Sequence, residues 1–189
     1  MIENNFFHIN YIFILITAFV VLSSFAQTNK QANKMEKINL TSPSFNEGEL
    51  IPSKYTCDGK NISPALKWDK PSNEIKRFAL IVEDPDSPGG TFVHWIIYNI
   101  PANVTSFQED VTPIKNIPDE VLIGTNNFGH IGYGGPCPPS GTHRYIFKIY
   151  GLNNVVHLEA GAEKGDLMRA MQKYIIAEGE LMGKYSRIR

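Results

Sequence analysis

Asp84-Pro85-Asp86-Ser87-Pro88-Gly89-Gly90-Thr91-Phe92-Val93-His94-Trp95 is the stretch on which the reading of this chain turns. A second stretch, Tyr133-Gly134-Gly135-Pro136-Cys137-Pro138-Pro139-Ser140-Gly141-Thr142-His143-Arg144-Tyr145, repeats its logic. In each, a Pro/Gly-rich turn delivers a histidine to the start of an apolar, strand-like run. Proline fixes φ and glycine admits positive φ, so such loops are stiff at some positions and permissive at others. They can hold an imidazole and several backbone N–H groups around one small cavity.

The flanking residues read mostly as strands. Arg77 to Asp84 is an apolar run of strand length that ends in the first loop. Phe92 to Ile100 is rich in β-branched and aromatic residues and stops at Pro101. From His143 to Leu152, Tyr145, Phe147 and Ile149 share one face, with Arg144, Ile146, Lys148 and Tyr150 on the other. Ile38 to Leu40, Ala65 to Trp68 and Val155 to Leu158 read as shorter strands, and Glu47 to Pro71 is rich in turns. The period changes near the C-terminus. Leu167, Met168, Met171, Tyr174 and Ile175 recur at helical spacing, predicting a helix from Glu163 to about Glu178. Gly179 and Gly183 read as stops, with room for a second helical turn at Glu180–Lys184. Many short strands and one convincing helix indicate a mostly β protein, an antiparallel β-sandwich of two sheets with peripheral α-helices.

Residues 1–26 read as a signal peptide. Tyr11 to Leu22 is almost wholly apolar, and Ser24 and Ala26 have the spacing that a signal peptidase accepts, so cleavage is expected before Gln27. The alternative is an uncleaved membrane anchor, although the apolar core is short for a span of about 20 residues. Export to the periplasm or the medium is the expectation. Residues 27–36 read as a flexible tether and 37–189 as one domain. The chain carries 18 basic and 19 acidic residues, and removing Glu3 with the leader brings the net charge to zero. That argues against a nucleic-acid partner held by bulk electrostatics. Two cysteines in an exported chain suggest one disulfide, Cys57–Cys137, tying the Thr56–Ser63 loop beside the second Pro/Gly loop; two buried thiols are the alternative.

Asp-Pro-Asp-x-Pro, His-Trp opening a strand, and Tyr-Gly-Gly-Pro-x-Pro-Pro-x-Gly-x-His-Arg-Tyr together resemble the phosphatidylethanolamine-binding protein family, and more narrowly its bacterial and archaeal Raf-kinase-inhibitor-like subgroup. The segment Thr56–Pro64 followed by Leu66 and Trp68, and the ending Ala177–Tyr185, extend the resemblance from about Ile38 to Tyr185. It implies two antiparallel sheets and a small anion pocket at one end, suited to phosphate-like groups including the phosphoryl-ethanolamine headgroup. Carried over by motif, the pocket lining is Asp84, His94, Gly135, Pro136, His143 and Tyr145. The resemblance also implies a cis peptide before Pro88, a proline bond being where cis is cheap.

An anion needs donors. His94 and His143 each offer one or two N–H groups, and Gly135 lets backbone approach a ligand. Asp84 would repel an anion, so it either fixes a histidine tautomer or accepts the ammonium of a zwitterion. Asp86 reads as a turn residue and Arg144 as a salt-bridge partner for Asp84 or Asp86. Trp68 and Trp95 read as core or pocket wall, and Met168 and Met171 as packing. The expectation is a non-enzymatic binding protein without a cofactor or metal, its partner a small anionic or phosphorylated ligand. Inhibition of a protease enters by resemblance alone, and export argues against a cytoplasmic kinase target. The alternatives are a metal-dependent hydrolase built on Asp84, Asp86, His94 and His143, and an interaction module with a vestigial pocket. Neither a His-Glu-x-x-His pair nor a Gly-x-Ser-x-Gly elbow is present.

Overall fold

The computed structural model describes residues 35–112 and 115–187. The expected signal peptide and most of the tether lie outside the described residues. Alternating apolar side chains build nine strands there: β1 (Glu36–Lys37), β2 (Leu40–Thr41), β3 (Leu66–Trp68), β4 (Arg77–Asp84), β5 (Phe92–Pro101), β6 (Ser106–Phe107), β7 (Leu122–Ile123), β8 (Thr142–Leu152) and β9 (Ile175–Ser186). One α-helix, α1 (Lys164–Met171), runs into a 3-10 turn at Gln172–Tyr174. Glu36 already pairs with Ala177, so ordered strand begins one residue inside the expected tether.

The strands form a six-stranded sheet in the order β1-β9-β8-β4-β5-β7 and a three-stranded sheet in the order β2-β3-β6. All pairings are antiparallel except β1 with β9. β4 and β5 are buried on both faces, which is why they read as continuous apolar runs. Phe78, Leu80 and Val82 of β4 join Leu40, Leu66, Trp68 and Phe107 of the small sheet in one core. Ala79 and Ile81 face the opposite way, into a second core closed by Leu167 and Met171 of α1. Trp68 lies edge-on to Phe78 and Phe107 at centroid distances of 5.9 and 5.3 Å. Trp68 and Trp95 are therefore packing residues, as are Met168 and Met171.

The C-terminus departs from the sequence expectation. The helix ends at Met171, and the predicted helical turn at Glu180–Lys184 is instead part of β9. β9 pairs along nearly its whole length with β8, from Ser186 opposite Thr142 to Ala177 opposite Gly151. Its period-2 pattern is carried by small residues, so the apolar signal is weak, and Ile175 happens to continue the helical spacing. Gly179 is a contact rather than a stop: a Cβ there would stand 2.1 Å from the Ile38 carbonyl oxygen. Val155–Leu158 is not a strand. Asn99, at φ 58°, satisfies that backbone instead, accepting from the Val156 N–H and donating to its carbonyl, both at 2.9 Å.

The pairing of β4 with β5 shifts register twice, and the second shift shapes the end of the sheet where the two Pro/Gly loops meet. Val82 pairs with Trp95 and Glu83 with Val93, which leaves His94 as the extra residue of a bulge. A bulge re-aims side chains. Here it turns His94 toward Tyr145 of the inner core while its neighbour Trp95 stays in that same core.

Candidate functional site

Antiparallel pairing gathers the candidate residues at one end of the large sheet. Asp84 is the last residue of β4, His94 is the third of β5, and His143 is the second of β8. The His143 Nδ1–H donates to Asp84 Oδ2 at 2.7 Å, and Asp84 Oδ1 accepts the Asp86 N–H at 2.8 Å. Both partners are buried, His143 at 7% and Asp84 at 4% exposure. Of the roles open to Asp84, fixing the imidazole tautomer is the one this geometry performs. Oriented this way, His143 keeps Nε2 as its uncommitted ring nitrogen.

His94 is held differently. Its Nδ1–H donates to the Gly134 carbonyl at 2.6 Å, and the Gly134 N–H returns a bond to the His94 carbonyl at 2.9 Å. The ring meets Tyr145 edge-on at a centroid distance of 5.2 Å, with Phe92 at 5.2 Å and Phe128 at 5.4 Å. Burial pulls the His94 pKa below the ordinary imidazole value, with the Gly134 carbonyl pulling the other way. Tyr145 is fully buried, and among the described residues its hydroxyl makes no hydrogen bond of good geometry, although the Cys137 backbone lies near enough to lower its pKa. Burial and the nearby Asp84 carboxylate push that phenol well above its usual range.

Gly135 and Pro136 are brought close and are tied into a neighbouring loop. The Gly135 N–H donates to Asn61 Oδ1 at 2.7 Å, so it is not free for a ligand. A Cβ on Gly135 would stand 2.4 Å from the Tyr55 carbonyl oxygen. Glycine is needed there for contact with the Tyr55–Asn61 loop, a different role from the ligand approach expected of it. The Cys57 N–H donates to the Pro136 carbonyl at 3.1 Å, and the Tyr133 hydroxyl donates to the Tyr55 carbonyl at 2.8 Å. The Cys57–Cys137 disulfide closes this junction covalently, with Cα atoms 5.4 Å apart. Gly135→Ala is expected to cost about 2 kcal/mol or more, since backbone must move. Urea denaturation of the variant measures it.

Asp86 and Arg144 form the rim. The Arg144 guanidinium grips Asp86 at 2.6 and 2.9 Å, its backbone N–H adds a third bond at 2.9 Å, and this holds the Asp86 pKa down to about 2. The expected cis peptide before Pro88 is corrected: Ser87–Pro88 is trans, as is every described peptide bond. The trans form is the lower-energy state of an X–Pro bond by about 0.5–1 kcal/mol. The reversal is made farther on, where the Gly90 N–H bonds the Ser87 carbonyl and Gly90 adopts φ 100°. Among the described residues no three His, Cys, Asp or Glu side chains are gathered as metal ligands.

Sequence reasoning missed Phe92 and Phe128, which flank His94, and Asn61, which holds Gly135. The clue to Phe128 is its frame, Asn126-Asn127-Phe128-Gly129, a turn signature around one aromatic.

The chain has clear relatives among known proteins. The UPF0098 protein of Methanothermobacter thermautotrophicus is 47% identical over 150 residues, spanning 79% of this chain and 99% of that protein. The crystal structure of the phosphatidylethanolamine-binding protein homolog CT736 from Chlamydia trachomatis superposes with a TM-score of 0.75 at 41% identity, covering 81% of this chain and 99% of that one. E. coli YbcL, described as a member of the mammalian PEBP family, gives a TM-score of 0.75 at 31% identity over 80% of this chain and 99% of its own. The family model described as Phosphatidylethanolamine-binding protein matches residues 41–186, and so both loops, the bulge between them and the C-terminal strand that packs against β8 fall within one match: this chain belongs to the phosphatidylethanolamine-binding protein family.

Proposed function

We propose that the protein is a non-enzymatic binding protein that holds a small anionic or phosphorylated ligand, such as a phospholipid headgroup, at the Asp84/His94/His143/Tyr145 site. The observation that carries this reading is the Tyr145 hydroxyl. It is buried and makes no hydrogen bond of good geometry among the described residues, and its ring lies on the same strand face as His143 and edge-on to His94. An unsatisfied buried hydroxyl costs about 1–3 kcal/mol, which a ligand accepting its O–H would recover once a small opening of the neighbouring loops uncovers it. Export is part of the proposal. The leader-like residues 1–26 and the disulfide both support an oxidising compartment.

Titrating phosphoethanolamine while following the histidine ring NMR signals tests the reading. His94 and His143 should shift, while His130 and His157 should not, and His94→Ala should abolish the response. No response at millimolar ligand would favour the vestigial-pocket alternative. The binding should also depend on pH. Both rings commit Nδ1–H to protein acceptors, so a ring donates to an anion from Nε2 only when it carries a second proton. Binding of sulfate, whose charge is constant across the range, should therefore tighten as pH falls. Burial lowers the His94 pKa, so its share of the gain should come below the ordinary imidazole value of about 6.5. A flat profile would contradict this.

A further inference from the structure

Phe128 is a large apolar side chain left 42% exposed, yet it is held firmly. Its loop is organised by Asn126, whose Oδ1 accepts the Phe128 and His130 N–H groups and whose Nδ2 donates to the Gly132 carbonyl. Asn127 locks the loop to β5 beside His94. Its backbone N–H donates to the Val93 carbonyl at 2.9 Å, and its Oδ1 accepts the Val93 N–H at 2.6 Å. The ring itself stands edge-on to Phe92 at 4.7 Å and to His94 at 5.4 Å. It also lies over Gly134, where a Cβ would come within 2.5 Å of Phe128 Cδ2. Phe92 is the strand partner of Asp84, the residue whose carboxylate orients His143.

A half-exposed phenylalanine fixed by an asparagine framework, by a lock on β5 and by a glycine that leaves room for it is a wall. We propose, resting on the anion-binding reading above, that Phe128 is the specificity-determining residue of the site. It closes the His94 side and limits the ligand to an anion bearing a small substituent. A phosphoryl group with an ethanolamine-sized attachment is admitted, and an aromatic phosphate ester is excluded. Gly134 and Phe128 act as a pair: the missing Cβ is the space that the ring occupies. Because the Phe128 ring is partly exposed, truncating it would open a notch bounded by Phe92, His94 and Gly134, in which an aromatic substituent could stand where the ring stood. The excluded ligand class would then be admitted.

The test compares the wild-type protein, Phe128→Ala and Phe128→Tyr. Affinities for inorganic phosphate and phenyl phosphate are read from the His94 and His143 ring signals. The ratio of phenyl phosphate to phosphate affinity should rise about tenfold or more in Phe128→Ala, the scale on which a pocket discriminates one apolar group. Phe128→Tyr should keep the wild-type ratio. A second measurement needs no ligand: deuterium exchange at the imidazole Cε1–H should accelerate at His94 in Phe128→Ala and stay constant at His143. Parallel changes for both probes, or unaltered exchange at His94, would overturn the proposal. Accelerated His94 exchange in a protein whose wild type ignores phosphate would overturn the anion reading, and with it the ligand class assigned to the wall. Near-ultraviolet circular dichroism checks that each variant is folded.

Discussion

Removing the Cys57–Cys137 bond, by reduction or in the Cys57→Ser/Cys137→Ser variant, should lower the unfolding free energy by about 4 kcal/mol. The two residues are 80 apart in sequence, so the bond closes a long loop of the unfolded chain. Loop-closure entropy gives about 3 kcal/mol for 15 residues and about 4.7 for 100, which places this bond near the upper end. In the native state the same junction is also held without covalent help, by Cys57 to Pro136, Gly135 to Asn61 and Tyr133 to Tyr55. The reduced protein should therefore still fold to the same structure, with its loss drawn mainly from the unfolded state. Urea denaturation with and without dithiothreitol reads the effect as a shift in midpoint. A loss below about 1 kcal/mol would mean that the unfolded chain is already compact around these segments.

Asp84→Ala should cost about 3 kcal/mol and weaken phosphate binding by more than tenfold. The carboxylate accepts two hydrogen bonds, from the buried His143 Nδ1–H and from the half-buried Asp86 N–H, and both would lose their acceptor. A hydrogen bond to a charged group contributes about 1.5–3 kcal/mol, and an orphaned buried donor adds its own penalty. The binding loss has a separate cause: without Asp84 nothing fixes which His143 nitrogen faces the ligand. Asp84→Asn separates the two effects. Its side-chain oxygen can keep the Asp86 bond, while its amide would donate to His143 Nδ1 and move the ring proton to Nε2. That variant should be nearly as stable as wild type and should bind anions with less dependence on pH. Imidazole ¹⁵N shifts report the tautomer directly. Weakened anion binding in Asp84→Asn with an unchanged His143 tautomer would show that orientation of the ring is not what Asp84 supplies.

The long central strands were legible because burial on both faces leaves unbroken apolar runs, as in Arg77–Asp84 and Phe92–Pro101. β9 was not legible. Its inward positions Ala177, Gly179 and Gly183 are small because neighbouring residues approach closely, and small residues carry little hydropathy signal. The site divides in the same way. The histidines and Asp84 stand out because each borders a Pro/Gly loop. What joins them is tertiary, since only the pairing of β4 with β5 and β8 sets His143 against Asp84. Gly135 illustrates a related limit. A glycine in a loop announces close approach without saying what approaches, and here it is the Tyr55 carbonyl rather than a ligand. Phe128 drew no notice because exposed aromatics carry no pattern until their contacts are known. The helical reading of Glu180–Lys184 failed because glycine at positions 179 and 183 signals helix stops as readily as close strand packing.

A high-resolution crystal structure grown with inorganic phosphate tests the account most directly. Tetrahedral density accepting the Tyr145 hydroxyl and a hydrogen bond from His143 Nε2, beside Phe128, is the predicted result. Phosphate bound elsewhere, or a Tyr145 hydroxyl satisfied by a protein group with no density beside it, would contradict it.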